Sequence, residues 1–100
     1  MNDKFRSLLG FARKSGNLII GFDNIRKKSS KALLLVSASD PSERTKKNIE
    51  SLGFGCPIIR TDMNKRELGN IIGCSSVAVV AVIDENFAKQ LKLQAEKERE

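Results

Sequence analysis

The residues with the most chemistry to offer lie between Leu18 and Lys28, in the run Leu-Ile-Ile-Gly-Phe-Asp-Asn-Ile-Arg-Lys-Lys. Three apolar residues predict a short strand, Gly21 a tight exit, and Asp23 and Asn24 sit at the start of a helix that carries Arg26, Lys27 and Lys28. A helix start presents backbone N–H groups without intrahelical partners and a partial positive charge, so it receives phosphate readily. Asp and Asn side chains hydrogen-bond base edges, and Arg and Lys neutralise phosphates. The chemistry expected here is non-covalent recognition of RNA.

Charge placement points the same way. The 100-residue chain carries a formal charge of +6, and residues 1 to 31 hold all of that excess. They contain eight cations (Lys4, Arg6, Arg13, Lys14, Arg26, Lys27, Lys28 and Lys31) against Asp3 and Asp23, whereas residues 32 to 100 balance ten against ten. Such asymmetry implies a polyanionic partner. Arg13 and Lys14 also have a plainer reading, as cations favourable to a helix C-terminus.

Enzymatic chemistry finds little support. The chain has no histidine, which removes the commonest general base. No Gly-x-x-x-x-Gly-Lys-Ser/Thr or Gly-x-Gly-x-x-Gly occurs, so a nucleotide cofactor is not expected. Cys56 and Cys74 lack metal-ligand spacing and read as buried thiols; no metal and no catalytic residue is assigned. There is no apolar run near the roughly 20 residues of a membrane span and no signal-peptide core, so a cytoplasmic protein is expected. Five Phe, no Tyr and no Trp argue against a base-stacking platform, since Phe5, Phe11 and Phe87 fit helix interiors.

The elements that must position the candidate residues follow from periodicity and caps. Asn2 caps a helix through Lys14, with Phe5, Leu8, Leu9 and Ala12 on one face and Gly16 as its stop. A strand over Leu18 to Ile20 and a helix over Phe22 to Ser29 follow. Ala32 to Val36 is an apolar run suited to a strand covered on both faces. Asp40-Pro41-Ser42-Glu43 opens a helix to Leu52, with Asp40 as its cap. Pro57 to Arg60 is a third strand, and Asn64 with Glu67 frames a helix whose Leu68, Ile71 and Ile72 point inward. Gly73 to Ser76 is a polar loop leading into the strand Val77 to Ile83; Asp84 then caps a last helix that fades after Leu93. Residues 1 to 93 are thus one domain, followed by a charged tail over 94 to 100 expected to fray. Strands alternating with helices predict an α/β fold with a mostly parallel or mixed sheet between two helical layers.

In this order and spacing, several stretches resemble one family. They are Leu-Leu-Gly-Phe-Ala-Arg-Lys-Ser-Gly (8 to 16), Gly-Phe-Asp-Asn-Ile-Arg-Lys (21 to 27), Ala-Leu-Leu-Leu-Val-Ser-Ala-Ser-Asp (32 to 40), Glu-Leu-Gly-Asn-Ile-Ile-Gly (67 to 73) and Val-Ala-Val-Val-Ala-Val (77 to 82). Together they are similar to the kink-turn RNA-binding ribosomal protein superfamily, which includes the large-subunit proteins called seven-Ae and thirty-e, and most to its small bacterial members. The resemblance implies a three-layer α/β/α sandwich around a mixed four-stranded sheet. It also implies binding of a sharply bent RNA whose kink is flanked by sheared G·A pairs. The family motif Gly-x-Asn-Glu-x-x-Lys falls on Gly21, Asp23, Asn24 and Lys27, with Asp-Asn here in place of Asn-Glu. The resemblance assigns a second contact to the loop Cys74, Ser75, Ser76 and Val77, and a backbone contact to Lys65. The protein expected is a monomeric, ribosome-associated RNA binder without cofactor. The alternatives are a protein-interaction module of the same fold and a small enzyme using a carboxylate or Cys74.

Overall fold

The structure, a computed structural model, describes residues 2–40, 43–44, 47–48 and 56–98. Its first helix, α1, spans Asp3–Lys14 and opens as its sequence directs, with the Asn2 side chain accepting from the Phe5 N–H at 2.8 Å. Strand β1 spans Leu18–Ile20, helix α2 Phe22–Lys27, and a single 3-10 turn Ser29–Lys31 completes what the sequence reads as one helix to Ser29. Strand β2 is Leu34–Ser37 and β3 is Ile58–Arg60. Helix α3, Lys65–Ile71, is opened by the expected capping box of Asn64 and Glu67. Strand β4, Val79–Val82, leads to helix α4, Glu85–Glu98, where Asp84 accepts from the Phe87 N–H at 2.9 Å. Of the expected helix from Asp40 to Leu52, Glu43, Arg44, Lys47 and Asn48 are helical and the other positions after Asp40 lie outside the described residues.

The four strands form a mixed sheet in the order β1-β4-β2-β3. Strand β4 pairs antiparallel with both β1 and β2, and β2 pairs parallel with β3. Because side chains alternate across a strand, the apolar runs split between two cores. Leu34, Val36, Val80 and Val82 face one side with Phe5, Leu9, Leu68 and Leu91 of α1, α3 and α4. Ile19, Leu35, Val79 and Ala81 face the other with Ile25 of α2. The fold is thus an α/β sheet with helices on both faces, as the apolar runs imply.

Two positions depart from the sequence reading. Helix α4 does not fade at Leu93: it continues to Glu98, and Gln94 and Ala95 are buried. The Gln94 side chain lies against the start of α1, where the Asn2 amide donates to its Oε1 at 3.4 Å. Charge-rich composition hides this inward pair, because Gln94 and Ala95 are the only uncharged residues after Leu93. Phe11, assigned to a helix interior, is instead 59% exposed, since α1 is covered along the line of Phe5, Leu9 and Ala12 and Phe11 lies off it.

The extended helix makes a direct prediction. Ala95→Asp places a carboxylate in the α1–α4 contact and is expected to destabilise the protein by roughly 2–4 kcal/mol in a denaturant titration. A frayed end would leave the midpoint unchanged.

Candidate functional site

Register decides which loops meet. Strand β1 runs antiparallel to β4, so its end at Ile20 lies beside Val80. The Gly21 N–H then donates to the Val79 carbonyl at 3.2 Å. On the other side of β4, the Ala38 N–H donates to the Ala78 carbonyl at 2.8 Å. The exits of β1 and β2 and the entrance to β4 therefore share one edge of the sheet, and β3 ends there too because Arg60 pairs with Ser37.

That edge is tied by its own polar groups. The buried Thr61 hydroxyl donates to the Ser37 carbonyl at 2.8 Å, and the Ser39 N–H donates to the Met63 carbonyl at 2.7 Å. Asp40 Oδ1 accepts from the Lys65 N–H at 2.8 Å, and the Lys65 carbonyl accepts from the Val77 N–H at 3.0 Å. One residue, Lys65, thus joins the exit of β2 to the loop that feeds β4. The Asp40 Oδ1 satisfies an orphan N–H at the start of α3, a contact between positions distant in the chain; the helix that the sequence has Asp40 cap begins outside the described residues.

Gly21 sits at φ 88° and ψ 147°, a conformation that strains any residue with a Cβ, and it supplies no side-chain cap to α2. Asp23, Asn24, Arg26, Lys27 and Lys28 are all exposed on the short helix that follows, opposite the buried Ile25. Asp23 and Lys27, four apart, share its outer face. The Asn24 amide donates to the Ile20 carbonyl at 2.9 Å, which fixes its side chain against the end of β1. One of its two N–H donors is spent there; the other, and Oδ1, are left for a ligand.

The loop before β4 divides. Ser75 and Ser76 are exposed, Cys74 is half-buried against the core, and Val77 is 7% exposed within it. The Val77 side chain is thus part of the core and anchors the loop. Lys65 is half-exposed and, with Asp40, Asn64, Arg66 and Ser76, lines a cleft of about 350 Å³. Arg66 is a cation of this cleft that sequence reasoning passed over. Cys56 lies on the other face, where burial pushes its thiol pKa up and away from thiolate chemistry. Among the described residues, no group of three or more His, Cys, Asp or Glu could hold a metal ion, and no helix is long and apolar enough to cross a membrane.

A glycine that the sequence reading used only as part of a motif sets the loop's position. A Cβ on Gly69 would come within 2.8 Å of Ser76 Cα, 2.9 Å of the Cys74 oxygen and 3.0 Å of the Ser76 nitrogen. All three are backbone atoms, so the loop lies directly on α3. The Cys74 N–H donates to the Gly69 carbonyl at 2.8 Å and completes the contact. The signal was present: glycine inside a helix costs about 1 kcal/mol against alanine, and close approach of another backbone is a common reason for it.

Among solved structures, the chain is similar to one described as a protein of unknown function from Bacillus halodurans C. It matches at a TM-score of 0.87 and 26% identity, over 95% of this chain and 99% of that one. The two share a fold. No family model and no curated protein matches the chain.

Gly69→Ala is expected to displace the Cys74–Ser76 backbone and to destabilise the protein by about 1–3 kcal/mol. Chemical unfolding reads the loss, and amide shifts confined to residues 74–77 and α3 read the displacement. A variant as stable as wild type with unmoved loop amides would contradict the close approach.

Proposed function

We propose that this chain is a non-enzymatic, ribosomal-protein-like RNA-binding protein of the cytoplasm, associated with the ribosome, that recognises a kinked RNA. The reading rests on one observation: the Gly21–Lys27 helix start and the Cys74–Val77 loop, far apart in sequence, meet at one sheet edge with the start of α3 beside them. Asp23 accepts from the N1 and N2 donors of a guanine. Asn24, braced by Ile20, offers its free N–H and Oδ1 to the adjoining base edge. Lys27, Lys28, Arg26 and Lys65 neutralise phosphates, and Ser75 and Ser76 make short-range polar contacts from the loop. Gly21 contributes by lacking a side chain where the RNA approaches. The shortness of Asp23 and Asn24 suits a ligand held close to the backbone of α2.

The test is a gel-shift titration at physiological salt, comparing a standard kink-turn RNA with one whose G·A pairs are replaced by Watson–Crick pairs. Wild type is expected to prefer the kinked RNA. Asp23→Ala/Asn24→Ala is expected to lose that preference at a cost of about 1–3 kcal/mol for a misread base contact. The salt dependence should fall by roughly 0.9 in slope for each duplex phosphate contact removed, as in Lys27→Ala. Equal affinity for both RNAs would reduce the protein to a general basic binder, and a slope near zero would remove the phosphate contacts altogether.

A further inference from the structure

Arg13 and Lys14 have a role at the helix C-terminus in the sequence, yet the fold sets them on a groove. That groove, of about 520 Å³, is lined by Gly10, Arg13 and Lys14 of α1 and by Asn70, Ile71 and the turn that follows α3. Its size falls within the range of small-ligand sites, and every charged residue lining it is a cation. Asn70 is exposed at its wall and offers both a donor and an acceptor. Phe11, outside the groove's lining but three residues before Lys14 on the same helix, has 59% of its surface exposed. An exposed aromatic ring beside cations is the combination that stacks bases while holding phosphates.

The groove is also placed to continue the RNA site. Helix α3 lines the Asp40–Ser76 cleft with its first turn and the groove with its last. From Asn64 to Asn70 the helix rises roughly 9 Å. A stacked strand covers that distance in about three nucleotides at roughly 3.4 Å each. The Gly73–Ser76 segment separates the two, with Gly73 on the groove and Ser76 on the cleft.

We infer that the α1–α3 groove binds a single-stranded RNA segment flanking the kink, with phosphates on Arg13 and Lys14, a base edge on Asn70 and a base stacked on Phe11. This rests on the RNA-binding reading and extends it to a second surface. It accounts for cations of the first third of the chain that lie away from α2. Gly10 leaves the groove open: a Cβ there would meet only the Ile71 carbonyl, at an ordinary 3.7 Å, so a larger residue fills the space without strain of the backbone.

The experiment is fluorescence anisotropy with three probes: a blunt kinked RNA, the same RNA with a single-stranded extension, and the extension alone as a free oligonucleotide. Circular dichroism checks that each variant folds. The extension is expected to tighten binding about fivefold or more. Arg13→Ala/Lys14→Ala, Phe11→Ala and Gly10→Leu should each erase that gain while leaving the blunt RNA unaffected. The double variant should also lower the salt slope by about 1.4, at about 0.7 per single-strand phosphate. No gain from the extension, or a gain that survives the double variant, overturns the inference. Should wild type fail to distinguish kinked from straight RNA, the reading of the α2 site fails by itself. The groove is then judged on the free oligonucleotide, where weakening by Arg13→Ala/Lys14→Ala but not by Asp23→Ala/Asn24→Ala sustains it and the reverse overturns it. Polyglutamate competing as well as the oligonucleotide would assign the groove to an acidic protein and overturn it too.

Discussion

Strand β4 holds the structure together. Val79, Val80, Ala81 and Val82 are all buried because β4 lies between β1 and β2 in the sheet and between helices on its two faces. Antiparallel pairing on both sides then leaves no freedom in what lies at its entrance. The end of β1, and with it the start of α2, must stand beside Val79, and the end of β2 must stand across from it. A one-residue slip would exchange the Val80/Val82 face with the Val79/Ala81 face and misfit both cores together, so register is strongly specified. The candidate site inherits that rigidity without itself supplying much of the burial.

Around this edge, polar contacts do what apolar packing cannot. Lys65 has its N–H held by Asp40 and its carbonyl held by Val77, so α3 starts at a defined point relative to both β2 and β4. Gly69 lets the loop close onto α3, and the Asn24 amide braces the first turn of α2 against Ile20. These groups spend part of their hydrogen-bonding capacity on the protein. What they leave exposed is a set of short polar side chains and cations on a backbone held in place before any ligand arrives, which limits the backbone entropy lost on binding.

The two clefts at opposite ends of α3 give that helix a double duty. Its apolar face, Leu68 and Ile72, packs on the sheet, while its first and last turns open toward different cations. Seven residues suffice because the caps at both ends are satisfied, by the Asn64–Glu67 box in front and by the Ile72 and Cys74 N–H groups behind.

Local chemistry determined much of this protein in its sequence. The alternation of strands with amphipathic helices, the Asn2, Asn64 and Asp84 caps, and the segregation of charge into the first third are properties of neighbours in the chain, so they could be read from it. So could the candidate residues of α2, which depend only on a strand, a glycine and a helix in succession. Tertiary structure alone decided the rest. Asp40 binding Lys65, Gly69 meeting Ser76, Val77 turning inward, Phe11 turning outward and Gln94 lying against Asn2 are contacts or exposures set by where distant elements stop. The physical reason is that helical or strand period fixes which residues share a face, whereas only the sheet's pairing and the crossing of α1 over α3 and α4 fix which part of that face is covered.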